Sequence, residues 1–317
     1  MPEINYGPHM TTKDAPVITK LGVVSANGEM TPVVYKDRLC LIRTASVRPG
    51  CQCAQFYDCA DQKILSSFGE GLEFFSGYEE NGTLFAFGTY KGEKDGKCDH
   101  ISMFRSEDGL NWSETVLFER PEFRFWNTSV CKGPNGYRMA IEISLASKLG
   151  DVLKHEPDEL VGVPFTEFFL ESTDLIHWNW LPDDHCYSKD RYTACPALRY
   201  CSDGYYYMIC LEALPLVRYE PYIYRTKDFY TWEIGLHNPV LWVSREDRFP
   251  KPGVVFDENT LSKLRSYLNI NDCDVDLCEF KGQTHLFYMT GDQLSLGFMC
   301  EAVYEGPLDE FLQSFFE

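Results

Sequence analysis

The chain has 317 residues, 29 Lys and Arg against 48 Asp and Glu, a formal net charge of -19, and 44% hydrophobic and 15% aromatic residues. That apolar content can build a core and excludes a disordered chain, and the lack of clustered Lys and Arg excludes a nucleic-acid partner. A surface of this charge suits neutral sugars or a cationic ligand.

The N-terminus, MPEINYGPHMTTKDAPVITK, lacks the charged start and apolar run of a signal peptide, and no apolar stretch approaches a membrane span. The expectation is a cytoplasmic protein without membrane contact, or a secreted one if a leader has been removed. The 13 cysteines include a cluster at Cys51, Cys53 and Cys59, but no pair of CxxC motifs at zinc-site spacing. Others lie inside apolar runs such as YMICLEA and DLCEF, where thiols act as small buried hydrophobes. Free thiols are expected.

From Thr31 onward one strand-rich unit recurs. Its first copy is TPVVYKDRLCLIRTAS with AQFYDCADQKI, and Arg43 ends its second apolar run. The second copy, from Phe74, is FFSGYEENGTLFAFGTY, with Asn81-Gly82 as a tight-turn signal. It continues through HISMFR into SEDGLNW, Ser106 to Trp112. Arg124 and Trp126 stand at the entrance to the third copy, NTSVCKGPNGYRMAIEIS from Asn127, in which Glu142 closes an apolar strand. An insertion from Leu145 to Pro164 follows, then FTEFFLE and STDLIHW, Ser172 to Trp178. Arg191 and Tyr192 precede the fourth copy, which contains PALRYCSDGYYYMICLEA; Glu212 occupies the place that Glu142 has one unit earlier. The unit ends in EPYIYR and TKDFYTW, Thr226 to Trp232.

A second insertion, Arg245 to Ile270, has helical Leu spacing at its end. The fifth copy is DVDLCEFKGQTHLFYMTGD with LGFMCEAVY, and Thr290 to Asp292 stand where its second strand ends. Leu308, Phe311, Leu312, Phe315 and Phe316 then fall at helical steps. Copies starting near residues 31, 74, 127, 193 and 272 predict one all-β domain over 1–317, a five-bladed β-propeller with a short C-terminal helix. The thrice-repeated Ser/Thr-x-Asp-x-x-x-Trp element is read as structural, the Asp capping a turn and the Trp filling the gap between blades.

Strict alternation on an innermost strand places Asp272, Asp274 and Asp276 on one side, facing the channel. Aligned carboxylates repel one another, so the cluster points to catalysis or a bound cation, and its oxygens have the chemistry for Ca2+. No cofactor and no complete metal-ligand set is assigned. Glu142 and Glu212 add acids to the same rim. Arg43, Arg124, Trp126, Arg191, Tyr192, Asp272 and Asp292 are the expected substrate contacts, since aromatic faces suit sugar rings and Arg suits hydroxyls or carboxylates.

The repeated strand-turn-strand with S-x-D-x-x-x-W, and NDCDVDLCEFKGQTHLFYMTGDQ near the end, resembles five-bladed propeller glycoside hydrolases of families 43, 32 and 117-like groups. The resemblance implies hydrolysis of a glycosidic bond, usually with inversion, by a base, a pKa-tuning Asp and a Glu acid around the channel mouth. Carried over, Asp274 is base or tuner and Glu142 or Glu212 the acid. The first inner strand, TPVVYK, departs from the pattern by lacking the Asp that family 43 enzymes place there. An oligosaccharide or glycoside is the implied partner; no feature sets an oligomeric state. Alternatives are a phosphorylase of the family 130 type, using Arg124, Arg191 and Arg199, and a non-catalytic carbohydrate-binding propeller.

Overall fold

The computed structural model describes residues 15–26, 28–90, 98–120, 123–145, 165–182, 185, 187, 192–214, 218–292 and 297–317. The N-terminal strand β1 (Ile18–Ser25) is followed by blade 1: β2 (Met30–Tyr35), β3 (Arg38–Arg48), β4 (Cys51–Asp58) and β5 (Lys63–Phe68). Blade 2 comprises β6 (Leu72–Glu80), β7 (Thr83–Tyr90), β8 (His100–Ser106) and β9 (Ser113–Glu119). Blade 3 comprises β10 (Phe123–Gly133), β11 (Gly136–Leu145), β12 (Thr166–Ser172) and β13 (Asn179–Trp180). Blade 4 comprises β14 (Thr193–Tyr200), β15 (Tyr206–Leu214), β16 (Arg218–Thr226) and β17 (Glu233–Ile234). Blade 5 comprises β18 (Asn271–Phe280), β19 (Gln283–Gly291) and β20 (Gly297–Tyr304), with β1 as its outer strand.

Each sheet is antiparallel, and the inner strands touch in the cyclic order β2, β6, β10, β14, β18 and back to β2. The expected five-bladed propeller is therefore present, with the blades starting close to the predicted residues. Two features go beyond the sequence reading. A fourth outer strand completes every blade, and β1 pairs with β20 so that opposite ends of the chain close the ring. The tight turn behaves as signalled in blade 2, where Asn81-Gly82 takes positive φ, and Lys281-Gly282 of blade 5 does the same. In blade 3 Gly133 pairs with Gly136, so the turn falls on Pro134-Asn135 rather than on Asn135-Gly136.

Apolar side chains fill the five gaps between blades. One cluster joins blades 1 and 2 around Ile42, Phe56 and Phe75, another joins blades 2 and 3 around Phe87, Phe125 and Ile141. Gly88 lets Phe75 lie against the sheet, since a Cβ there would meet the ring at 2.5 Å. The Ser/Thr-x-Asp-x-x-x-Trp element works as read. Asp108, Asp174 and Asp228 each accept two backbone N–H bonds at 2.7–2.9 Å across the turn. Trp112 stacks on Phe68 of the preceding blade with centroids 3.9 Å apart.

The second insertion carries the expected helix, Glu258–Ser266, capped by Asp257 accepting from the Thr260 N–H at 2.7 Å. At the C-terminus the helix Leu308–Gln313 and the turn after it bury Phe311, Leu312 and Phe315 in the core of blades 4 and 5. Every described cysteine is a free thiol. The first insertion lies, from residue 146 to 164, outside the described residues.

Candidate active site at the channel mouth

The N-terminal ends of the inner strands form one rim of the channel, and four of them share a defect. The ladders of β6, β10, β14 and β18 each skip register, between Glu73 and Ser76, Phe125 and Thr128, Ala194 and Ala197, and Cys273 and Asp276. A bulge turns a side chain off the alternating faces of its strand. Phe74, Cys195 and Asp274 sit in these bulges with φ of 56°, 53° and 51°. Glu29, with φ 25°, directly precedes β2 at the corresponding level.

Phe74 and Asp274, together with Glu29, Glu73 and Thr44, line an opening of about 340 Å³. Deeper in, Glu29, Asp274, Asn127 and Cys195 line a smaller cavity of about 30 Å³. Glu142 lies behind that wall, 3% exposed. Its Oε2 accepts from Asn127 Nδ2 and from the Cys195 backbone N–H, both at 3.0 Å. Asn127 also lowers the proton affinity of Glu29, so one amide acts on two carboxyls from different blades.

The electrostatics follow from packing acids into little solvent. Burial, then the charges of Asp274, Glu142 and Glu73, hold Glu29 well above the usual carboxylate range. Burial likewise raises Glu142 to about 7, with Asp274 adding to it and the Asn127 and Cys195 N–H donors opposing it. The charge of Asp274 thus adds to the upward shifts that burial imposes on Glu29, Glu142 and the Cys195 thiol. The Cys195 thiol, pushed up by burial first, also bonds Asp274.

Several expectations change. Asp272, Asp274 and Asp276 do not share a face, because the bulge at Asp274 breaks the alternation that would align them. Asp272 is buried against Lys20, and Asp276 pairs with Arg199 of blade 4. Asp274 lines the mouth, Asp276 lines the deeper cavity beside it while paired with Arg199, and among the described residues no acid, thiol and imidazole group has metal-holding geometry. Glu212 is held away from the opening, accepting from the Tyr224 and Tyr187 hydroxyls. Glu167, cross-strand partner of Glu142, stands between Glu142 and Glu212 and is itself raised to about 8 by burial. Arg43 is on the far face of blade 1, stacked on Tyr57, in the seam with blade 5.

Other expected contacts do gather near the rim. Trp126 packs edge-on to Phe74 with centroids 5.0 Å apart, and Phe165 lies tilted against Tyr192, also at 5.0 Å. The Tyr192 hydroxyl, buried, feels the charges of Glu142 and Asp274. Arg124 sits half-buried two residues before Trp126, and Asp292 follows β19. Arg191 lies outside the described residues. The sequence reading missed Glu29, Glu73, Asn127 and Cys195. For Glu29 a signal existed, an acid two residues before the TPVVYK run; for Cys195 and Asn127 none did, since neither residue type advertises a carboxylate clamp.

No family model matches the chain, and no curated protein does. Solved structures do. BT0996, solved in a complex with RGII, superposes with a TM-score of 0.60 at 10% identity, covering 93% of this protein and 93% of its own length. A thermostable family-43 glycoside hydrolase gives 0.57 at 12% identity, covering 89% of this chain and 90% of its own. An endo-arabinase from Bacteroides thetaiotaomicron gives 0.54 at 10%, covering 93% and 97%. At such identities the likeness is one of architecture: the chain has the five-bladed β-propeller fold found in family 43 glycoside hydrolases.

Proposed function

We propose that this protein is a glycoside hydrolase whose reaction takes place in the opening lined by Glu29 and Asp274. The observation that carries the reading is the meeting of acids from blades 1, 3 and 5 at one end of the channel, where burial and the charge of Asp274 raise the proton affinity of two neighbouring carboxyls. In this reading Glu29, which borders the opening and is protonated, donates to the leaving oxygen. Asp274, ionised, takes a proton from the attacking water. Glu142, at 3% exposure, is too enclosed to meet a sugar and acts through Asn127 on Glu29, so the sequence-based choice of Glu142 as acid gives way to a tuning role. Phe74 and Trp126 offer ring faces at the rim to a sugar.

Because the two carboxyls come from different blades and flank an opening with room for water, the expected course is inversion, which needs the carboxyls about 6.5–9.5 Å apart. The first-formed anomer, followed by proton NMR on an aryl glycoside, tests this; retained configuration would exclude the assigned roles. Neutral saccharides fit the acidic lining better than uronates.

A second reading, a carbohydrate-binding propeller without turnover, draws support from one feature. The bulges of blades 3 and 4 present Asn127 and Cys195, neutral side chains, to the channel. Calorimetric binding of a saccharide that is never cleaved, across a broad aryl-glycoside panel, would favour it. Arg199, offered for a phosphate site, is engaged by Asp276 and the Leu277 carbonyl, so phosphorolysis gains nothing from this geometry.

A further inference from the structure

Arg43 does not serve the channel mouth, and its surroundings call for an explanation of their own. It sits in a cavity of about 120 Å³ in the seam where blades 5 and 1 close the ring. Its Nε donates to Gln55 Oε1 at 2.9 Å and its guanidinium lies over the Tyr57 ring at 4.2 Å. No carboxylate among the described residues pairs with it.

The one acid in the cavity, Glu301, is already neutralised. Lys251 binds its Oε2, and His285 Nδ1 lies 3.0 Å from its Oε1. These partners hold Glu301 below the usual carboxylate range despite its burial. The cavity therefore carries one cation in excess, on a guanidinium that burial already disfavours. A partly desolvated cation without a counter-charge costs stability, and an anion arriving there would offset that cost.

The remaining walls set the rest of the ligand. Val24, Leu41, Val254 and Phe287 are apolar, and the rim is closed by Gln62 donating to the Gly253 carbonyl at 3.1 Å. A cavity of about 150 Å³ with apolar walls accepts benzene in other proteins, so this one takes a group of nearly that size. We infer that the seam between blades 1 and 5 is a binding site for a small monocarboxylate with an apolar body, its carboxylate held by the Arg43 fork. A guanidinium binds such a group with two parallel N–H···O bonds, which a lysine cannot reproduce. The site is separate from the channel mouth: Thr44, the next residue along β3, faces the opening with Glu29.

The probe is benzoate, with benzyl alcohol and benzylamine as controls, titrated calorimetrically into the full-length protein. Benzoate is expected to bind and to raise the thermal midpoint, the alcohol and amine to do neither. Arg43→Gln should weaken benzoate about tenfold or more, the range of a lost charge-assisted bond. Arg43→Lys, which keeps the charge and guards against a folding artefact, should recover only part of the loss. Glu29→Gln, at the channel mouth, should leave benzoate affinity unchanged, which separates this site from the proposed glycosidase centre. Absent benzoate binding at millimolar concentration, or equal binding by wild type and Arg43→Gln with both folded, overturns the inference.

Discussion

The Asn127 side chain donates to Glu142 Oε2 at 3.0 Å and also acts on Glu29, so a single amide opposes the upward shift that burial imposes on two carboxyls at the channel mouth. A hydrogen bond to the ionised form lowers a carboxyl's pKa, and both acids lie above their ordinary range in spite of it. Asn127→Leu keeps the approximate shape and removes the donor. Both acids should then hold their protons to higher pH. Turnover, kcat/KM, should fall about 10- to 100-fold, a typical share for positioned acid–base chemistry. The basic limb of its pH profile, which reports loss of the acid's proton, should move upward. A lowered rate with an unmoved limb would assign Asn127 to packing alone.

The roles of the acids separate by position. Asp274 and Glu29 border the opening, whereas Glu212 is enclosed by Tyr187 and Tyr224. Asp274→Asn and Glu29→Gln should each cost about 100- to 10,000-fold in kcat on an aryl glycoside. Glu212→Gln should stay within a few-fold of wild type, although sequence position alone would make Glu212 the counterpart of Glu142. Comparable losses in all three variants would show that the row from Asp274 through Glu142 and Glu167 to Glu212 acts as one proton-sharing unit.

Why the architecture could be read and the site only in part is visible in individual residues. Asn81-Gly82 and the Asp108, Asp174 and Asp228 turns are local devices: residue type and backbone shape are tied together over four positions, so the sequence displays them. The bulges are not local in that sense. Phe74, Cys195 and Asp274 take positive φ without being Gly, Asn or, in two of three cases, even polar, and only the packed ring makes that conformation worth its cost. Alternation therefore aligned Asp272, Asp274 and Asp276 on paper, and the bulge sends Asp272 to Lys20 and Asp274 to the mouth, while Asp276 lines the deeper cavity in a pair with Arg199. The closing role of β1 was hidden for a similar reason. Its partner, β20, lies at the other end of the chain, and nothing in ITKLGVVS names that partner.

Stability should depend on pH in a direction opposite to that of most acidic proteins. Glu142 and Glu167 are raised to about 7 and about 8, with burial the first cause in each. A carboxyl whose folded pKa exceeds its unfolded value binds its proton more tightly in the fold. Its contribution is complete below the unfolded pKa and disappears as pH rises through the folded one. The fold should therefore lose stability between about pH 4.5 and 8, at about 1.4 kcal/mol for each tenfold difference in proton affinity. Glu167→Gln keeps a group that can bond Thr193 and removes the titration, so its denaturation free energy should fall less steeply with pH and exceed wild type at pH 9. Urea melts at pH 5.5, 7 and 9 measure both slopes; parallel slopes would contradict the assignment.

Ring closure rests on a buried ion cluster that tests the structure independently of any activity. Lys20, on β1, binds Asp247 at 2.8 Å and also Asp272, the latter at the start of β18, so one ammonium ties the closing strand to the second insertion and to the inner strand of blade 5. Tyr288 donates to Asp247 Oδ1 at 2.7 Å, and the Tyr267 hydroxyl to the Asp247 carbonyl at 2.9 Å. Burial raises the Asp272 carboxyl while Lys20 opposes that shift. Lys20→Met fills similar space and leaves two buried acids without their cation, for which about 3–5 kcal/mol is the expected cost. Pairing it with Asp272→Asn removes one of the stranded charges and should return part of the loss, a coupling that distant sites do not show. The measurement is the urea midpoint of the three variants. Additive losses in the double variant would mean that Lys20 holds β1 by its stem alone, and the closure would then depend on the β1–β20 ladder rather than on charge.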